Sequence, residues 1–263
     1  MWGRVMRKPA LWLAQSDQDA LRLVITGVRA ERVQVAGNMK YDIRAAKRSR
    51  VPERIRTLAE GRPIFVAGST VDGNPAEEML VIEAWKASLR GSTNALLVLA
   101  PRHPERFGAV EAMLRSVRYA KVSEHLGAGN EEEISSLGID VVLVDTIGDL
   151  AAVYGVADAA FVGGSLVRKG GHNPLEPAQF GVPVVMGSSF ENFRDVVTKL
   201  KEAGGIRIVR DEGELGAVVA DLLNDRKDAK AMGDAGRRVF EEQQGATGRS
   251  VKAIVSLIRG DTA

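Results

Sequence analysis

The stretch Phe161–Gly187, FVGGSLVRKGGHNPLEPAQFGVPVVMG, decides how the rest of the chain is read. One apolar run enters it, another (Pro183–Met186) leaves it, and between them lie two glycine pairs followed by His-Asn-Pro-Leu-Glu-Pro. A short apolar run, a glycine-rich turn, a helix start and a second short apolar run describe two parallel strands joined by a crossover. Asn173 has the character of a helix N-cap, Pro174 suits the first helical position, and Glu176 falls where a capping box places its acid. Gly181 and Pro183 stop the helix and open the next strand. Helix initiation accounts for these residues by itself. It does not account for Gly170-Gly171-His172 directly ahead of the cap.

A helix start leaves backbone N–H groups unpaired and carries roughly half a positive charge. Glycines let a phosphate come close to those groups, and Lys169 and His172 add charge. The segment is therefore read as an anion site as well as a turn. Glu176 keeps two readings, closing the capping box or accepting hydrogen bonds from ribose hydroxyls. Pro177 tips it towards the ligand, because a proline there gives up the first internal hydrogen bond of the helix.

Outward from this stretch the same pattern repeats. Strands are expected at Pro63–Gly68, Ala95–Ala100, Val141–Val144, Ala159–Gly163, Pro183–Met186 and Ile206–Val209, with a weaker one near Arg118–Val122. Helices fill the gaps at Ala76–Leu89, Pro104–Ser116, Asp149–Tyr154 and Asn192–Ala203, and everything from Asp211 onward reads as helical. Short apolar runs alternating with helices describe an α/β fold with a parallel sheet. In such sheets ligands bind outside the carboxyl ends of the strands. Four polar or glycine-rich loops follow strands here: Ser69-Thr70, Pro101-Arg102-His103, Asp145 to Asp149, and the opening segment. Their alignment on one sheet edge is stronger than any single motif. Each also has a plain structural reading, with Ser69 or Thr70 capping the helix that follows, His103 capping its own, and Asp145 and Asp149 flanking a glycine turn.

The first forty or so residues form a different piece. LWLAQ and VQVAG read as strands, and Ser16 caps the helix between them with Asp17 and Asp19 in its first turn. Two strands and a helix cannot bury a core alone. The piece either joins the edge of the main sheet or ends a domain that begins elsewhere.

Composition narrows the chemistry. The 263 residues carry a formal charge of +2, 45% are apolar, and cysteine is absent. Disulfides, thiolate metal sites and a cysteine nucleophile are excluded, and the charge balance is not that of a nucleic-acid binder. The three histidines are scattered, and no Walker lysine, dinucleotide fingerprint or nucleophile elbow is present. No metal and no cofactor is expected. No apolar run approaches the length of a membrane span.

FVGGSLVRKGGHNPLEPA, together with PRHPERF, AGST, DTIGDL and GNMKYD, resembles the 3-deoxy-D-manno-octulosonic acid (Kdo) transferases of lipopolysaccharide assembly. The resemblance runs from about Leu11 to the C-terminal helices. It implies the GT-B fold, here a Rossmann-like domain with a parallel sheet flanked by helices over residues 44–263. A remnant of the N-terminal acceptor domain and a linker would precede it over residues 1–43. It further implies metal-independent transfer of Kdo from CMP-Kdo to a lipid A precursor, lipid IVA, at the cytoplasmic face of the bacterial inner membrane. Membrane attachment would come through an N-terminal domain upstream of this chain.

Carried over by motif, the CMP contacts are Pro101 and Arg102, then Ile147, Gly148 and Asp149, then Asn173, Pro174, Leu175 and Glu176. Lys169, Gly170, Gly171, His172, Ser69 and Thr70 are the expected phosphate partners. In the family an arginine commonly precedes the second glycine pair, where this chain has Lys169, so bidentate phosphate binding is lost there. The family's general base belongs to the upstream domain, and no residue of this chain is matched to it. Two other readings stay open: a GT-B enzyme or epimerase using a UDP-sugar, and a nucleotide-binding module without catalysis.

Overall fold

The computed structural model describes residues 5–6, 8–42, 49–90, 94–125 and 138–260. The first four residues and the boundary expected at residue 43 lie outside this set. The chain divides into two compact units, Met1–Arg44 with Phe240–Ala263, and Ala45–Val239.

The larger unit is built on a seven-stranded parallel sheet. Its strands are β3 (Ile64–Thr70), β4 (Leu96–Pro101), β5 (Tyr119–Lys121), β6 (Val141–Leu143), β7 (Ala159–Val162), β8 (Val184–Met186) and β9 (Ile206–Ile208), in the spatial order β5-β6-β4-β3-β7-β8-β9. All seven expected strands are present. From β3 the chain passes to β4, then to the edge strand β5, and β6 fills the place between β4 and β5. The chain then returns to the other flank of β3 with β7 and continues to β8 and β9. The direction reverses between β3 and β7, and this is where such sheets open a crevice beyond their carboxyl ends.

The helices follow in chain order. They are α1 (Asp17–Ile25), α2 (Val51–Ala59), α3 (Glu77–Leu89), α4 (Phe107–Met113), α5 (Val122–His125), α6 (Leu150–Val153), α7 (Leu175–Ala178), α8 (Arg194–Glu202), α9 (Glu212–Asn224), α10 (Arg226–Gln243) and α11 (Ala246–Arg259). Short 3-10 turns at Pro104–Arg106, Tyr154–Val156 and Glu191–Phe193 extend α4, α6 and α8.

The central strands are apolar at nearly every position because both faces of the sheet are covered. Phe65, Ala67, Leu97, Leu99 and Phe161 face one core with Trp85, Leu215 and Val219. Ile64, Val66, Leu96, Val98 and Ala160 face the other with Ile55, Leu58 and Val153. Each fully buried Leu or Phe contributes roughly 1.5–3 kcal/mol, and that burial holds the loops at the strand ends in place.

In the smaller unit β1 (Trp12–Ala14) and β2 (Val33–Val35) form a two-stranded parallel sheet with α1 as crossover. These strands take no part in the seven-stranded sheet, which settles one of the two alternatives left open for them. Ser16 caps α1 as expected, its hydroxyl accepting a hydrogen bond from the Asp19 backbone N–H at 3.2 Å. The Asp42 carboxylate accepts from the backbone N–H of Gly245 at 2.6 Å and from that of Thr247, and so caps α11. Leu21, Ile25, Val35, Leu257 and Ile258 of this unit are exposed. Among the described residues no helix is long and apolar enough to cross a membrane.

Candidate functional site at the sheet switch point

The four loops singled out from the sequence follow β6, β4, β3 and β7, which are four adjacent strands of the sheet. They therefore line one continuous edge, with the reversal point between the last two. The β3 and β7 loops meet closely there. A Cβ on Gly163 would lie 2.4 Å from the backbone oxygen of Ser69, so only glycine fits.

The loop after β7 is fastened largely to itself. Gly164, Gly170 and Gly171 have φ of +70°, +80° and +71°, the left-handed region that glycine enters without strain. The N–H of Gly171 donates to the Gly164 carbonyl at 2.8 Å, that of His172 to Gly163 at 3.0 Å, and that of Gly170 to the Ser189 hydroxyl at 2.9 Å. The glycines thus serve the turn, and these three amides are already paired rather than offered to an anion. Ahead of the helix, the Asn173 side-chain oxygen accepts from the Leu175 N–H at 3.1 Å. Asn173 satisfies a helix-start amide as expected, but from one position earlier, with Pro174 in the cap position of α7. Glu176 does not close a capping box. It is half-buried in α7, and its carboxylate has Arg102 as a charged neighbour and no hydrogen-bond donor among the described residues.

Glu77 and Glu78, the first two residues of α3, are both fully buried. The Glu77 carboxylate accepts four backbone N–H groups: Gly164 at 2.6 Å, Leu166 at 2.9 Å, Ser165 at 3.0 Å and Val71 at 3.2 Å. Burial pushes its carboxyl above the usual range, while the four amides act in the opposite direction by favouring the ionised form. Glu78 receives Arg106 in a bidentate pair, Nη2 at 2.8 Å and Nε at 3.2 Å, and the Thr70 hydroxyl at 3.3 Å. Arg106 also pairs with Asp72 at 2.8 Å. Thr70 is thus fully buried with its hydroxyl already committed. Ser69, also buried, lies in the strand at φ +57°. Neither caps α3, whose cap position is Ala76.

In the β4 loop Pro101 is buried while Arg102 and His103 are exposed, and His103 caps its 3-10 turn without a side-chain bond. In the β6 loop Ile147 is 84% exposed and Gly148 has φ +97°. Asp149 is occupied by Ser49 at 2.7 Å and Thr146 at 2.5 Å, so its carboxylate holds the loop. Pro174 and Leu175 are buried, which leaves them only backbone atoms to present, and Lys169 is exposed.

Charge ties the loops together. Burial pushes the His172 imidazole below its ordinary value, and Arg102 and His103 lower it further. Burial pushes Glu176 up, with Arg102 pulling it back. Tyr154, fully buried, has its phenol raised by burial and then by Glu176. Arg102 therefore acts on both the His172 imidazole and the Glu176 carboxylate, and so links the β4 loop to the segment leading into α7. Such a group is suited to one anion and a pair of neighbouring hydroxyls. Sequence reasoning missed Glu77, Glu78 and Arg106. Two acids at a helix start look like ordinary dipole partners, and only their burial marks them out.

No protein-family model matches the chain. Over 252 residues, 95% of its length, it is 35% identical to a 3-deoxy-D-manno-octulosonic acid transferase of Haemophilus influenzae, of which it covers 56%. The chain thus spans about half the length of such relatives. Among solved structures it is similar to the C-terminal CMP-Kdo binding domain of WaaA from Acinetobacter baumannii. The TM-score there is 0.60 at 26% identity, covering 71% of this chain and 97% of that one. The UDP complex of MnaA from S. aureus shares the fold alone, with a TM-score of 0.57 at 17% identity over 95% of this chain and 61% of that one. The sheet flanked by helices is that of the GT-B glycosyltransferases. Over the part of them that it spans, the chain is similar to the 3-deoxy-D-manno-octulosonic acid transferases.

Proposed function

We propose that this chain carries the donor-binding half of a Kdo transferase and holds CMP-Kdo at the switch point between β3 and β7. The observation that carries the reading is Glu176. It is a half-buried carboxylate with no protein donor among the described residues, beside the exposed Arg102 at the edge where four loops converge. A carboxylate kept in that state suits a pair of ribose hydroxyls. Arg102 and Lys169 supply positive charge for the phosphate, His172 takes up a proton as it binds, and Asn173 orders the start of α7. Ile147, apolar and exposed, covers one face of the cytosine. Gly148 and Asp149 shape that loop, while Pro101, Pro174 and Leu175 contribute backbone and packing.

In the reaction an acceptor hydroxyl attacks the anomeric carbon of the bound sugar. The bond to the phosphate oxygen breaks, CMP leaves with the electron pair, and the hydroxyl proton passes to a base. That base and the lipid A precursor belong to the acceptor side, which works at the cytoplasmic face of the inner membrane. Residues 1–43 are the end of that acceptor domain, a reading supported by the exposed Leu21, Ile25 and Val35. A pyrophosphate donor would need a second phosphate subsite, and the amides of Gly170, Gly171 and His172 are already paired. This favours CMP over UDP. Calorimetric titration of the purified chain tests it: CMP binds and UDP competes poorly. Equal or tighter binding of UDP would point to a UDP-sugar enzyme instead.

A further inference from the structure

Three successive amides of the β7 loop, those of Gly164, Ser165 and Leu166, converge on one point. Such a concavity is what proteins use to bind external anions. Here the anion is internal, since the Glu77 carboxylate fills it. With the Val71 amide added, four donors occupy its two oxygens, the acceptor set of an ionised carboxylate. The same residues pass the constraint on. The carbonyls of Gly163 and Gly164 hold the amides of His172 and Gly171, and Asn173 follows. Ser165 fixes the far side, its hydroxyl donating to Val162 at 2.6 Å and accepting from Gly187 at 2.8 Å.

Glu78 acts on the neighbouring loop. Successive helical residues point about 100° apart, so two adjacent acids in one helical turn reach different places. Glu78 takes Arg106 and Thr70, and Arg106 donates its backbone N–H to His103. The loop bearing Arg102 and His103 is therefore anchored from the same helix start as the loop bearing His172 and Glu176.

We infer that Glu77 and Glu78 are a pair of positioning residues, which set the relative placement of the Arg102 loop and the Gly170–Glu176 loop without touching the ligand. The inference rests on the proposed donor site for its consequence in binding, and on geometry alone for its consequence in the loops.

Amide hydrogen exchange of the whole chain, with calorimetric CMP titration, tests both levels. Glu77→Gln replaces two acceptor positions by an N–H2 facing donors. It is expected to speed exchange at least tenfold in peptides spanning 163–173, with β4 (96–101) unchanged. Glu78→Gln is expected to do the same across 102–107 and to spare 163–173. Glu77→Asp, which keeps the charge but is one methylene shorter, gives the same pattern more weakly and serves if the Gln variant does not fold. In either Glu77 variant CMP affinity falls about tenfold or more. Exchange rising equally in both loops, or unchanged in 163–173, overturns the inference, as does unaltered CMP affinity in a Glu77 variant. Loop-specific exchange in a wild-type chain that binds no CMP upholds the positioning role and rejects the donor-site reading instead.

Discussion

A methyl group on Gly68 would lie 2.1 Å from the hydroxyl oxygen of Tyr154 and 2.8 Å from a methyl carbon of Leu150. The β3 backbone thus runs directly against the fully buried phenol that neighbours Glu176. Gly68→Ala must push Tyr154 and Leu150 aside, and overpacking of this kind costs roughly 1–3 kcal/mol. Chemical denaturation checks this. A loss under about 0.5 kcal/mol would mean that the strand end and Tyr154 part easily.

Arg102 is exposed and stands beside Glu176 and His172. Charge-assisted hydrogen bonds contribute roughly 1.5–3 kcal/mol, so Arg102→Ala is expected to weaken CMP binding about 10- to 100-fold while leaving the melting temperature in place. Equal loss of stability and affinity would show that the residue serves the fold.

The His172 imidazole lies below its ordinary value in the free protein because of burial, Arg102 and His103. A folded pKa below the unfolded value near 6.5 means stability is lost as pH falls below that value. A bound phosphate reverses the local field and raises the His172 pKa. Binding therefore takes up a proton, and CMP affinity strengthens as pH falls through the bound-state value. The second ionisation of the phosphate near 6 acts equally on any variant. The difference between wild type and His172→Gln across pH 5–8 isolates the histidine. Parallel profiles would remove it from the phosphate site.

In the smaller unit Asp42 caps α11. Partial burial alone would raise its carboxyl, but hydrogen bonds from Thr247, Gly245 and Ala246 hold it below its ordinary value. The contribution is therefore present above the unfolded value near 3.9 and is lost as pH falls through the lower folded value. Asp42→Ala is expected to cost about 1 kcal/mol, as for other helix caps, and to remove the acid-side step in exchange of residues 246–259. Superimposable pH profiles of variant and wild type would contradict the cap.

What could be read from the sequence was set by what leaves a periodic trace. The strands at Phe65, Leu97, Val142 and Phe161 were legible because a sheet covered on both faces needs apolar residues at every position. The four site loops were legible because each follows such a strand. The cap at Ser16 was legible from its two acids. What the amides of Gly170, Gly171 and His172 do was not, because a glycine that serves a turn and one that admits a phosphate are the same letter. Nor was Glu77: its four backbone partners lie far along the chain in the β7 loop, apart from Val71. Asn173 was placed one residue out because a proline at a helix start suits more than one register.

In the proposed donor site Glu176 faces the ribose of the bound nucleotide. The most direct measurement is the dissociation constant of CMP and of 2′-deoxy-CMP for the wild-type chain and for Glu176→Ala. A hydrogen bond from a hydroxyl to a carboxylate contributes roughly 1.5–3 kcal/mol. The wild type should therefore prefer CMP by about tenfold or more, and the variant should bind both nucleotides alike. Equal binding of the two by the wild type, or a preference that survives in Glu176→Ala, would contradict the account.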